Sequence, residues 1–180
     1  MLAATQPSHD EAFAKALAAG GPSAACGDAL VLFGQFVGVW DFVWTGYDDN
    51  GEETETQDGE WIFGWVLEGR AVQDVWIVPA RSTPGHDGTS AEYGTTIRFY
   101  DPRTDAWYVT WNGPVQGIRR TFIARRAGDE IVQEGETKDG RPMRWIFSEI
   151  SENSFRWRSV YSRDDEKTWL LREQMAVRRR

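Results

Sequence analysis

The sequence predicts an all-β fold: an antiparallel up-and-down β-barrel of eight to ten strands, with short helices only near the N-terminus. Three observations predict it. From Val39 to Val177 apolar and polar residues alternate with period two, the repeat of a strand with one buried face. Turn chemistry interrupts this alternation at short, even spacing, the pattern of hairpins in a meander. A twisted meander of this length curls and closes, because closure removes its exposed edges.

Two helical segments come first. SHDEAFAKALAAG begins with Ser8 as cap and Glu11 three residues on. Phe13, Ala14 and Leu17 share one face, and Gly20-Gly21-Pro22 ends the segment. DALVLFGQFVG, opening at Asp28, is a second short helix with Leu30, Phe33 and Phe36 or Val37 as its apolar stripe. Residues 1–27 are therefore read as a helical extension and 28–180 as the barrel domain.

The strands follow in order. VWDFVWTGYD sets Trp40, Phe42 and Trp44 against Asp41, Val43 and Thr45, and DDNG turns the chain. EWIFGWVL comes next, with Gly59 and Gly64 suggesting a bulge or bend. Glu68-Gly69 leads into RAVQDVWIVP. The loop from Ala80 to Gly94 is a natural rim, with Gly85 and Gly88 supplying flexibility. Further strands run from TTIRFYD to TWLLREQMAV. Asp101-Pro102, Asn112-Gly113-Pro114 and Asp139-Gly140 are among their separators. A barrel of this strand number can hold a small ligand.

Composition narrows the function. The formal net charge is −8, and the basic clusters are Arg119-Arg120, Arg125-Arg126 and the terminal Arg178-Arg179-Arg180. A nucleic-acid surface needs a dense basic stripe, so none is expected. Cys26 is the single cysteine, which excludes an intramolecular disulfide and fits a reducing cytoplasm. No apolar run approaches the about 18 residues of a membrane helix. His9, His86 and Cys26 show no ligand spacing, so neither a metal nor a cofactor is expected. There is no Gly-x-Ser-x-Gly and no Cys/His pairing for nucleophilic catalysis.

Several segments together carry a resemblance. The helix running into GVWDFVWTGYDDNG, then GEWIFGWVLEGRAVQDVWIVP, GTTIRFYDPRTDAWYVTWNGP and FSEISENSFRWRSVYSRDDEKTW, resembles the DUF1579-type bacterial proteins of the calycin, or lipocalin-like, superfamily. It covers residues 28–177. Gly38-Val39-Trp40 is similar to the lipocalin Gly-x-Trp signature, and the resemblance implies that Trp40 plugs the closed end beside the N-terminal helices. Related barrels bind fatty acids, retinoids, pigments or haem, and some are cofactor-free cyclases or hydratases. The fold alone does not choose among these.

The inward face carries the candidate site. Taking the more apolar face of each strand as inward points Trp44, Trp61, Trp65, Trp111, Trp157 and Tyr161 into the barrel. The same rule brings in Ala71, Val75 and Ile77, with Gln73 and Glu173 as isolated polar residues. Arg98 lies on a strand whose faces are both mixed. A carboxylate on an apolar face needs a cation, water or a ligand's polar end.

Three readings follow. One is a protein that binds a small apolar molecule with a polar end, using those aromatics with Gln73, Glu173 and Arg98. The second is a cofactor-independent cyclase, isomerase, hydratase or decarboxylase, with Glu173, Asp74, Tyr161 and Arg98 as its catalytic candidates. The third is a packed barrel acting as a homodimeric interaction module, because aromatics also favour interfaces.

Overall fold

The computed structural model describes residues 8–87 and 91–180. Helix α1 (His9–Leu17) starts with a reciprocal capping box: Glu11 N–H donates to Ser8 Oγ at 3.3 Å, and Ser8 N–H to Glu11 Oε2 at 2.9 Å. None of its residues is buried. The short strand β1 (Ala18–Ala19) ties this extension to the rest of the chain. A 3-10 turn (Ala24–Leu30) and helix α2 (Val31–Gly34) replace the longer second helix that the sequence suggests.

Ten strands among the described residues form the barrel. They are β2 (Gly38–Tyr47), β3 (Glu53–Val66), β4 (Ala71–Val78), β5 (Glu92–Asp101) and β6 (Ala106–Gly113), then β7 (Ile118–Ala127), β8 (Glu130–Glu136), β9 (Pro142–Ser148), β10 (Ser154–Tyr161) and β11 (Leu170–Arg179). Each pairs antiparallel with its successor, and β11 pairs with β2, so the sheet closes on itself. β1 adds to β3 through Ala18 opposite Val66 and Ala19 opposite Trp65. This is the closed all-β barrel that period-two alternation implies.

One end is plugged. Leu30, Phe33 and Phe36 descend from the N-terminal turns into the barrel, and all three are buried. Phe33 meets Trp107 edge-on at 5.0 Å, and Phe36 meets Phe155 at 4.8 Å.

Register decides which side chains face inward, because residues directly opposite share a face. Trp61 and Phe63 are buried in the core; opposite them on β4 stand Trp76 and Asp74. Val72, Asp74, Trp76 and Val78 are therefore the inward set, a correction to the apolar-face rule. Ala71, Gln73, Val75 and Ile77 lie on the outer face. The same pairing carries Thr96, Arg98 and Gly94 of β5 inward.

Gly59 and Gly64 are not bulges. The register runs unbroken through both, and Gly59 makes room for a ring: a Cβ there would lie 2.2 Å from Phe42. The register shifts fall between Gly46 and Tyr47 and between Ser159 and Val160. The loop after β4 leaves at the open end. Its start is held by Arg81, whose backbone N–H and guanidinium both donate to Glu60. Gly88, read with Gly85 as a source of rim flexibility, lies outside the described residues.

Candidate functional site

Above the plug the interior opens into a cavity of about 290 Å³. Its walls are six tryptophans, each placed by the inward phase of its strand: Trp44 on β2, Trp61 on β3, Trp76 on β4, Trp111 on β6, Trp145 on β9 and Trp157 on β10. The rings support one another edge to face. Trp76 meets Trp111 at 5.9 Å, Trp111 meets Trp145 at 6.3 Å, and Trp145 meets Trp157 at 5.4 Å. Trp157 meets Trp61 at 6.5 Å, continuing the belt. Gly94 clears space for this belt, since a Cβ there would lie 2.2 Å from the Trp111 ring.

The polar groups of the wall differ in what they have left to offer. Glu92 is buried and already satisfied: it accepts from the backbone N–H groups of Tyr93, Val115 and Gln116, fixing the β6–β7 hairpin. Glu173 is inward, because it stands opposite Gly46 while the next inward residue, Met175, stands opposite Trp44. Its Oε2 accepts one hydrogen bond, 3.3 Å from Trp44 Nε1. Burial among apolar rings raises its carboxyl above the ordinary range; the Trp44 N–H and the charges of Arg172 and Arg120 oppose this only in part.

Arg120 is opposite Trp111 and shares its inward face. Burial lowers its guanidinium below the ordinary arginine range. Its Nη1 lies 3.6 Å from Met143 Sδ, and among the described residues it has no ion-pair partner.

A second cleft, of about 260 Å³, adjoins the first and shares Arg120 and Glu173 with it. Tyr161 lies here, at the mouth and not in the aromatic wall. It keeps step with Trp157, standing opposite Met143 on β9, but it is the last residue of β10 and so lies at the mouth. Its hydroxyl donates to Asp49 Oδ1 at 2.6 Å, and the guanidinium of Arg141 sits 4.8 Å from its ring. Burial, then the bond to Asp49, raises its phenol above the ordinary value.

Four other residues expected at the site lie elsewhere. Trp65 is on the same face as Trp61 but sits at the closed end, its ring against Gly34. Gln73 is on the outer face, where it donates to Thr95 Oγ1 at 3.0 Å. Arg98 and Asp74 are inward but form a buried ion pair at the plug, with Arg98 5.1 Å from the Phe33 ring.

Trp44, Trp61, Trp111, Trp157 and Glu173 are brought together in the cavity wall. The sequence reading left Arg120, Trp76 and Trp145 out of the site. Arg120 was legible: Phe122 and Ala124 fix the inward phase of IRRTFIAR, and Arg120 keeps step with them. No cluster of three or more His, Cys, Asp or Glu side chains that could hold a metal occurs among the described residues. No helix among them is long and apolar enough to cross a membrane.

The raised carboxyl makes a testable statement about stability. In the folded state Glu173 binds its proton more tightly than in the unfolded chain, whose glutamates titrate near about 4.3. Its contribution is fully present below that pH and is lost as pH rises through the higher folded value. Glu173→Gln is therefore expected to melt at a higher temperature than the parent at pH 8 and at nearly the same temperature at pH 4. Parallel melting curves across that range would show that Glu173 is well solvated.

No protein-family model matches the chain, and no curated protein does. Solved structures do. Rv2717c from M. tuberculosis is similar over 85% of this chain and 98% of its own, with a TM-score of 0.58 and 12% identity. The S-type phycobiliprotein lyase CPES from Guillardia theta is similar over 83% and 91%, with a TM-score of 0.53 and 9% identity. Identities this low concern the fold, and on the fold they agree with the strand pairing: the chain has a calycin-like barrel fold.

Proposed function

We propose that the protein binds a small, largely apolar molecule with one polar end inside the barrel. One observation carries this reading: six tryptophans enclose space instead of filling it, and two ionisable side chains on the rim of that space, Glu173 and Arg120, keep unused hydrogen-bonding capacity. Protein interiors are otherwise close-packed. Ligand pockets combine mostly apolar walls with a few convergent polar groups. The volume lies at the lower edge of the about 300–1,000 Å³ typical of such pockets, so the occupant is small. The ordered segments quoted above support membership of the DUF1579-type bacterial proteins, and the lone Cys26 supports a cytoplasmic location.

The test is to titrate fatty acids and aromatic acids while following tryptophan fluorescence. A saturable change is expected for at least one class, weakened in Trp145→Ala. If no class changes the signal, the binding reading fails.

A cofactor-independent enzyme is the second reading, and one observation favours it. Glu173 is a carboxyl with a raised pKa beside a cation in an aromatic pocket, the setting in which a general acid operates near neutral pH. The similar fold of a phycobiliprotein lyase adds that such a barrel can belong to an enzyme. Conversion of a bound ligand by the parent, lost in Glu173→Gln with binding retained, would select this reading.

A further inference from the structure

We propose that the polar end of the ligand is a carboxylate: the cavity selects small amphipathic acids, with the body among the tryptophans and the carboxylate between Arg120 and Glu173. This rests on the binding reading above and names its ligand class.

The argument starts from charge at the mouth. Two carboxylates of the outer cleft are consumed. Asp49 is paired with Arg163 at 2.5 Å and also accepts from Tyr161. Asp139 is paired with Arg141 at 2.8 Å and accepts from Thr137. Arg120, Arg172 and Lys138 line the same cleft, and among the described residues none has an ion pair. Three unpaired cations thus converge on one opening in a chain of net charge −8. Such a local excess attracts and orients an anion.

Position then selects an amphipathic one. Arg120 borders both the cleft and the aromatic cavity, as does Glu173. An anion held by Arg120 has its remaining atoms among Trp111, Trp145 and Trp157. Arg120 is partly buried and without a carboxylate, the state in which a guanidinium gains most from one, because charge-assisted hydrogen bonds strengthen away from water.

Glu173 forms no ion pair with Arg120, and burial raises its carboxyl, which shifts it toward the neutral acid. In its protonated form it offers an O–H donor to a second carboxylate oxygen. The opposite choice, a cation in the aromatic cage, is disfavoured. Arg120 would repel it, and the cavity's other carboxylate, Glu92, is saturated by three backbone N–H groups.

Calorimetric titration of the full chain separates the possibilities. The probes are matched sets in two ring sizes, phenyl and naphthyl: the arylacetate, the arylacetamide and the arylethylammonium ion. The arylacetate of the better-fitting size is expected to bind about ten- to a hundredfold tighter than its amide, the range for hydrogen bonds to charged groups. Arg120→Met should remove that preference and leave amide binding in place; Arg120→Lys should retain part of it. Raising the salt concentration should weaken the acid more than the amide, a readout that needs no variant to fold. Equal binding of acid and amide in the parent, or tightest binding of the ammonium ion, overturns the carboxylate inference and leaves the binding reading standing. If no probe of either size binds, both fall.

Discussion

Trp40→Ala is expected to destabilise the protein by about 3–5 kcal/mol, the range for removing a large buried aromatic. Trp40 is fully buried where the plug, the first barrel strand and the last one meet. Its indole N–H donates to the Phe36 carbonyl at 2.6 Å, fixing the plug to β2. Its ring meets Phe155 edge-on at 4.9 Å, and the Arg179 guanidinium covers it at 4.0 Å. Arg179 in turn donates to the carbonyls of Val37, Gln35 and Glu152, so one side chain joins β11 to the plug and to the β9–β10 turn.

Gly38 makes this approach possible. Its φ is 138°, and a Cβ there would lie 2.5 Å from Arg179 Nη1. Trp40→Ala removes the packing, the hydrogen bond and the surface on which Arg179 rests. Denaturant unfolding measures the effect. Trp40→Phe should fall between alanine and the parent, because it keeps a ring and loses the N–H. An alanine variant as stable as the parent would show that the closed end does not depend on this residue.

The existence of the strands was legible because every hairpin carries its own turn chemistry and each strand its own alternation. The inward phase was legible only where the inward face is also the more apolar one. On β6 it is: Trp107, Val109 and Trp111 outweigh Tyr108 and Thr110. On β4 it is not. Ala71 and Ile77 are buried on the outer face, while the inner face holds Asp74. Apolar weight then points the wrong way, and only the pairing of Trp61 with Trp76 settles the matter, a contact between strands that no single segment encodes.

Tyr161 was misplaced for a different reason. Its phase is the expected one, opposite Met143, but it ends β10 at the mouth and turns its hydroxyl to Asp49, a contact between distant segments that FRWRSVYS does not encode. The second helix was over-extended because its apolar stripe serves the plug, and a 3-10 turn with Phe36 beyond α2 places those rings as well as a continuous helix would.

The buried pair of Asp74 and Arg98 gives the second large effect. Both side chains are at most 1% exposed. Asp74 Oδ2 accepts from Arg98 Nη1, and its Oδ1 accepts from the Thr96 backbone N–H at 2.9 Å. The guanidinium lies between the Phe33 and Phe63 rings, and its Nε has no hydrogen-bond partner among the described residues. Asp74→Ala leaves that cation buried without its counter-ion, and is expected to cost about 3–5 kcal/mol. Arg98→Met should cost less, because a neutralised Asp74 can keep its bond to Thr96.

The double replacement Asp74→Leu with Arg98→Met should recover most of the loss, since packed apolar residues often match or exceed a buried ion pair. Denaturant midpoints of the four proteins close the cycle. A double variant as unstable as the sum of the singles would mean that the pair is not coupled in the folded state. The same four proteins also bear on function. Asp74 and Arg98 are both catalytic candidates from the sequence, and Arg98 also a candidate for ligand contact, yet they pack at the plug, below the tryptophan cavity. A folded double variant should therefore bind ligand as the parent does. If it loses binding while keeping its stability, the cavity extends down to the pair, and Arg98 returns as a partner for the ligand's polar end.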